Sequence, residues 1–382
     1  MRGIRIGTLS KLAIGLASLI AAAPAHGALP RTFVGATAFE DPSSEEFELM
    51  SEAVGTYRTN LYWPPVEPVG PGERDWSRYD ALIGGAAEHR IQVLATVYGS
   101  PGWAAAASHH PPDAAHRDDF EAFLRAAVGR YGPGGEFWKA HPGLPELPIR
   151  TWQLWNEPNV PIFWLPNPRA AQYQSLLVAA ERAIHAVDPG AQVLLGGLFP
   201  ASYGRTGIPG PRYLTDLYDG GAAAHFDAVA VHPYAKDPAT ALRIVEEMRE
   251  IMDSHGDADK PIWVTEVGWA TSGRKSGLTV SEEVQAEYLR EVFALAEANR
   301  ERLRLEGMIW FSFRDQEPAA LWPYRTGLLD ASGEPKPAWD ALKLVAADGT
   351  GLSFTSLLAA IEELTARIVE RSRRLQGAGA GS

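Results

Sequence analysis

Eight short apolar runs, each followed by a helical pattern or a loop, limit this chain more than any other feature of its sequence. They read Thr32–Ala38, Arg58–Tyr62, Gln92–Tyr98, Arg150–Asn156, Gln192–Leu198, Ala228–His232, Ile262–Val267 and Met308–Ser312. Runs such as Val-Leu-Ala-Thr-Val and Val-Leu-Leu-Gly-Gly-Leu are continuously apolar, as parallel strands covered on both faces must be. Between them lie amphipathic stretches at Trp76–His89, Asp118–Tyr131, Ala170–Val187, Ala239–His255 and Ser281–Asn299. In the last, Val284, Tyr288, Val292 and Leu295 recur at helical spacing, and Ser281 stands where a helix start is expected. Eight βα units predict a parallel sheet closed into a (β/α)8 TIM barrel. No Gly-x-Gly-x-x-Gly turn follows the first strand, which argues against an open dinucleotide-binding sheet.

The chain has 382 residues and a net charge of −12 spread along its length, so nucleic acid is not an expected partner. It has no cysteine, which excludes disulfides, thiolate catalysis and cysteine-ligated metals. Residues 1–28 read as a secretory signal: Arg2, Arg5 and Lys11 precede an apolar run, Leu12–Ala22, and Ala23-Pro24-Ala25 offers a small-residue cleavage site. A secreted, periplasmic or cell-envelope location is therefore expected. The barrel is expected over 29–344, followed by a linker, an extra amphipathic helix at Phe354–Leu375 and a Gly/Ala tail within 345–382. Packing back on the barrel, self-association and membrane-surface contact are the roles open to that helix.

Two loops exceed what a barrel needs. Ser100–Arg117 carries Trp103, His109, His110 and Asp113, and Gly132–Leu147 is rich in Gly and Pro. His109-His110 with Asp113 could be read as a metal site, but adjacent side chains in a loop rarely converge on one ion, so neither a metal nor another cofactor is expected.

Two acids stand at strand ends. In Ile-Arg-Thr-Trp-Gln-Leu-Trp-Asn-Glu-Pro-Asn, Pro158 cannot donate to a ladder and disfavours helix before it, so the fourth strand ends near Glu157. In Ile-Trp-Val-Thr-Glu-Val-Gly-Trp-Ala, Glu266 ends the seventh. All eight strand ends open on one face of a barrel, so both carboxylates are expected in one mouth. Glycosidic cleavage needs such a pair: one protonates the leaving oxygen while the other attacks carbon or activates water.

These motifs, Trp155-Asn156-Glu157-Pro158-Asn159 with Phe163-Trp164 and Thr265-Glu266, resemble those of the clan A glycoside hydrolases, most closely family 39 and its relatives. The resemblance covers about residues 31–343 and implies a retaining glycosidase acting on a β-linked oligo- or polysaccharide. It implies that Glu157 is general acid and then base, that Glu266 is the nucleophile, and that the carboxyls lie about 5–5.5 Å apart. Asn156 would contact the sugar 2-hydroxyl, and Arg58 would hold Glu266 ionised. Tyr234 would donate to Glu266, His232 would contact substrate, and Trp310 would form a platform under the sugar. Trp103 and Trp164 are loop aromatics suited to stacking, and Trp63 and Glu67 are expected to border the cleft. Family 39 β-xylosidases add a β-sandwich where this chain has about forty helix-patterned residues, which keeps family 5-like and endo-acting enzymes open. A non-catalytic carbohydrate-binding barrel is the reading from another class; it requires the two glutamates to diverge.

Overall fold

The computed structural model describes residues 29–317 and 320–348. The expected leader at 1–28 and the helix at Phe354–Leu375 lie outside the described residues. The eight strands are β1 (Val34–Thr37), β2 (Thr56–Tyr62), β3 (Gln92–Tyr98), β4 (Thr151–Leu154), β5 (Gln192–Leu194), β6 (Val229–Val231), β7 (Ile262–Val267) and β8 (Leu305–Phe311). They form one parallel sheet in the order β5-β4-β3-β2-β1-β8-β7-β6. Bridges pairing Leu194 with Ala228 and Leu198 with Val231 join its two ends, so the sheet closes into a (β/α)8 barrel.

The side chains sort into two apolar layers. Leu94, Leu194, Ala228, Ala230, Trp263 and Ile309 form a small cluster inside the cylinder. A larger core, including Trp152, Leu154, Val229, Val264 and Trp310, fills the space between strands and helices. This alternation is the period-two rule of strands, and it decides which residues reach the mouth of the barrel.

Helices span Ser77–Glu88, Arg117–Tyr131, Ala170–His185, Pro238–Ser254 and Glu282–Leu303, close to the stretches expected from the sequence. Ser281 caps the last of these, its side chain accepting from the Val284 amide. The stretch Gly210–Asp219, to which periodicity assigned no element, is also helical. The last helix among the described residues, Pro337–Asp348, runs past the expected boundary at 344. Among the described residues no helix is long and apolar enough to cross a membrane.

Strands four and five are shorter than expected, for a local reason. After Leu154 the backbone turns sharply: Trp155 and Glu157 have φ of 70° and 43°, a region unfavourable for residues with side chains. β5 stops before Gly196 and Gly197. A Cβ on Gly196 would lie 2.7 Å from Pro158 Cδ, and one on Gly197 1.9 Å from His232 Nε2. The two glycines let this turn and the end of β6 approach more closely than any side chain permits.

Candidate active site

The site is assembled from β2, β4, β6 and β7. Gln153, on the interior face of β4, donates to the Trp155 carbonyl at 2.9 Å, and the Trp155 indole donates to the Phe163 carbonyl at 2.6 Å. The Trp155 amide continues the ladder to Val97. These anchors hold the left-handed turn, whose two unusual residues cost on the order of 1–3 kcal/mol each, and it delivers Asn156 and Glu157 into the mouth. On β7 an extra residue opposes β8 between Val264 and Val267. This bulge lets Glu266 turn inward directly after Thr265, where regular pleating would send one of the two to the helix layer.

Arg58 is 2% exposed and bridges the two strand ends. It donates to Glu266 Oε1 and to Asn156 Oδ1, both at 2.8 Å. The Tyr234 hydroxyl donates to Glu266 Oε2 at 2.7 Å. His232 lies beneath the glutamates, with Nδ1 2.8 Å from Glu157 Oε1 and Nε2 3.0 Å from Thr265 Oγ1. Each glutamate is 7% exposed, enough to meet a ligand at the floor of the cleft.

The two carboxyls sit in different electrostatic settings. Burial pushes Glu157 well above the ordinary carboxylate range, and the charge of Glu266 adds to this. Burial also raises Glu266, but Arg58 and the Tyr234 hydroxyl favour its charged form and oppose the shift. Burial and the Arg58 charge push His232 well below the usual imidazole range, so it is neutral near neutral pH. The arrangement sets a proton-holding acid beside a carboxylate stabilised by two donors.

This setting has a consequence for stability. The unfolded chain releases the Glu157 proton in the ordinary range, while the folded chain holds it to higher pH. Stability from this group is therefore complete below the unfolded value and declines as pH rises through the folded one. Glu157→Gln removes that loss. It is expected to be more stable than the natural protein near neutral pH by about 0.5–2 kcal/mol, with a flatter dependence of Tm on pH. Thermal melts of both proteins across the acid-to-neutral range check this, and parallel curves would contradict it.

Ligand atoms of Glu157, His232 and Glu266 all lie within 4.8 Å of one another. A cation would have three donors there, but both His232 nitrogens are engaged and the Arg58 guanidinium already supplies positive charge to Glu266. His109 is used differently: its Nδ1 bonds the Ile162 carbonyl at 2.7 Å and so tethers the loop that follows Glu157.

The structure brings Arg58, Asn156, Glu157, Tyr234 and Glu266 to one cleft of about 440 Å³. Other expected residues lie elsewhere. Trp310 faces the helix layer, with its indole N–H on the Thr326 carbonyl at 3.0 Å. It adjoins Ile309, which faces the barrel axis, so pleating puts Phe311 in the mouth instead. Trp164 is fully buried against Trp155 and donates to Gln172. Trp103 packs on Trp63 and donates to the Glu67 carbonyl. Glu67 is buried, holding the Trp63 indole N–H at 2.7 Å and Arg74 at 2.6 Å. These contacts fasten loops and do not line the cleft. His232 also lies below the cleft surface, touching Glu157 rather than open space. Thr265, Tyr62, Tyr98, Phe311 and Trp322 join the site without having been singled out. Only Thr265 carried a sequence signal, as the neighbour of Glu266.

Gly197 tests this packing. Gly197→Ala must displace His232, and with it the partner of Glu157. A misplacement of about 1 Å at a catalytic group costs on the order of 100-fold, so kcat/KM is expected to fall by about that much. Steady-state kinetics beside a melting curve separates this from unfolding, and an unchanged kcat/KM would contradict the contact.

Residues 154–340 match the family described as glycosyl hydrolase catalytic core. The fold is shared with a family 39 glycoside hydrolase from the gut symbiont Bacteroides cellulosilyticus WH2, at a TM-score of 0.65 and 20% identity, over 84% of this chain and 65% of that one. It is shared with a monomeric β-xylosidase from Caulobacter crescentus CB15, at 0.61 and 20%, over 84% and 69%. A third match is an exo-β-1,4-mannosidase from Opitutaceae bacterium strain TAV5, at 0.58 and 21%, over 85% and 60%. The chain thus spans less than two thirds of the length of the Bacteroides and Opitutaceae enzymes. No curated protein matches it by sequence. The matched segment is a little under half of the chain, and the fold that it belongs to is one found in glycoside hydrolases.

Proposed function

We propose that this enzyme is a retaining, exo-acting glycosidase of β-linked glycosides, with Glu157 as acid/base and Glu266 as nucleophile. The observation that carries the reading is the pair itself: Glu157 and Glu266 face each other with ligand oxygens within 4.8 Å, in unlike settings. Oxygens that close support double displacement, in which the carboxyls stand about 5–5.5 Å apart, over inversion, which needs a wider gap for a water. A purely carbohydrate-binding barrel would not need the two acids to converge.

In the first step Glu157 protonates the leaving oxygen as Glu266 Oε attacks the anomeric carbon, breaking the glycosidic bond and forming a glycosyl ester. In the second, Glu157, now ionised, takes a proton from water as that water attacks the anomeric carbon and frees Glu266. Neutral His232 with its hydrogen on Nδ1 donates to Glu157 Oε1, and its Nε2 accepts from Thr265. The other oxygen of Glu157 is left to carry the working proton toward the cleft. Asn156 accepts from Arg58 through Oδ1, which leaves its NH2 to donate to the sugar 2-hydroxyl. The cleft is walled from the ends of all eight strands, and this favours a terminal sugar over the middle of a long chain. Export by the leader at 1–28 is part of the proposal; amino-terminal sequencing of the protein recovered outside the cytoplasm tests it.

Aryl β-xylosides, glucosides, mannosides and arabinosides, assayed beside polysaccharides, test the activity. At least one aryl glycoside is expected to be cleaved by the natural protein. Failure on every aryl glycoside would overturn the exo-glycosidase reading.

A further inference from the structure

We infer that the leaving-group side of this cleft accepts an apolar alcohol, an alkyl or aryl aglycone, in preference to a second sugar. The inference rests on the assignment of Glu157 as the acid, because the group that receives its proton must lie beside it.

The cleft wall following Glu157 consists of Val160, Ile162 and Phe163 from its own loop, and Phe199 and Tyr203 from the neighbouring end of β5. No charged group and no side-chain amide occurs among them; their one polar side-chain atom is the Tyr203 hydroxyl. These are not simply core residues reaching the surface. Ile162 is 50% exposed and Tyr203 47% exposed. Of the eight large hydrophobic side chains exposed among the described residues, four (Phe39, Ile162, Tyr203 and Tyr324) line this cleft. Such concentration of exposed apolar surface in one concavity marks a binding surface.

Two pairs of polar groups elsewhere on the rim are matched with each other. Arg78 holds Asp41 through two bonds, at 2.6 and 3.0 Å. The Tyr62 and Tyr98 hydroxyls bond each other at 2.5 Å. A sugar placed against the Ile162 wall would surrender hydrogen bonds to water for few in return, which is costly. An alkyl or aryl group there loses none and covers apolar surface. On the floor, by contrast, Arg58, Asn156, Tyr234 and the two glutamates converge as a sugar requires. The cleft thus has a polar end for the glycone and an apolar end for what leaves.

The test compares methyl, butyl and hexyl β-glycosides of the sugar preferred in the aryl screen with β-linked disaccharides carrying the same terminal sugar. All these leaving groups are unactivated alcohols, so chain length reports the wall. kcat/KM is expected to rise about threefold per methylene, roughly 200-fold over the five methylenes from methyl to hexyl, with the disaccharides close to the methyl glycoside. Ile162→Asn is expected to cut the hexyl-to-methyl ratio by about tenfold. The ratio is internal to each protein, so a general loss of activity does not imitate it. A flat series, or disaccharides cleaved faster than the hexyl glycoside, overturns the inference. Calorimetric binding of the same series to Glu157→Gln separates the two readings. Affinity that grows with chain length while the natural protein cleaves nothing overturns the glycosidase reading and keeps the apolar wall. Turnover without chain-length dependence overturns the wall alone.

Discussion

Glu266→Ala is expected to reduce kcat by about 10⁶-fold, the scale seen when a covalent nucleophile is removed from another enzyme. The variant leaves the buried Arg58 without its carboxylate, so a melting curve beside the kinetics separates lost chemistry from lost fold. Azide at high concentration should partly restore turnover of an activated aryl β-glycoside by entering the space left by the carboxylate. Attack from that side gives the α-glycosyl azide, an inverted product. The variant with azide, followed by isolation of the product, checks this. Full activity in Glu266→Ala, or a β-azide from it, would remove Glu266 from the role.

Glu157→Ala is expected to lose about 10²–10⁴-fold, the range for general acid–base assistance, and the loss should depend on the substrate. An alkyl glycoside needs its leaving oxygen protonated and should show the full effect. An aryl glycoside with an acidic phenol needs no proton in the first step, so the glycosyl-enzyme should form and accumulate, producing a burst. The pH profile should change in a definite sense. In the natural enzyme kcat/KM rises on the acid side as Glu266 ionises, and falls on the alkaline side as Glu157 loses the proton that burial and Glu266 make it hold. Without Glu157 the alkaline limb should vanish for an activated substrate while the acid limb remains. Rate profiles for both proteins on one aryl glycoside decide it; an unmoved alkaline limb would assign that ionisation to another group.

Much of this site was legible because its markers are local. Pro158 and the apolar run before it put Glu157 at a strand end, and counting strands put Glu266 in the same mouth. Arg58, Asn156 and Tyr234, on the second, fourth and sixth strand units, were pointed to by the family resemblance, and the structure gathers all five. What the sequence did not disclose depends on where side chains point. Trp310 and Phe311 are adjacent aromatics at the end of β8, and only the register with the barrel interior shows that Phe311 takes the mouth. The bulge that turns Glu266 inward leaves no mark in composition. Trp103 and Trp164 are loop tryptophans, and their indoles were needed to fasten those loops. His232 reads as a strand-end ligand, yet the clearance given by Gly197 lets it lie under Glu157. The apolar wall is spread over Ile162, Phe163, Phe199 and Tyr203, some forty residues apart, and only the fold joins them.

The central claim is double displacement between two facing carboxylates, and proton NMR of the first-formed sugar tests it most directly. With an aryl β-glycoside and excess enzyme, the account predicts that the β-anomer appears first and the α-anomer only later, through mutarotation. An α-anomer in the first turnover would contradict the assignment of Glu266 as nucleophile.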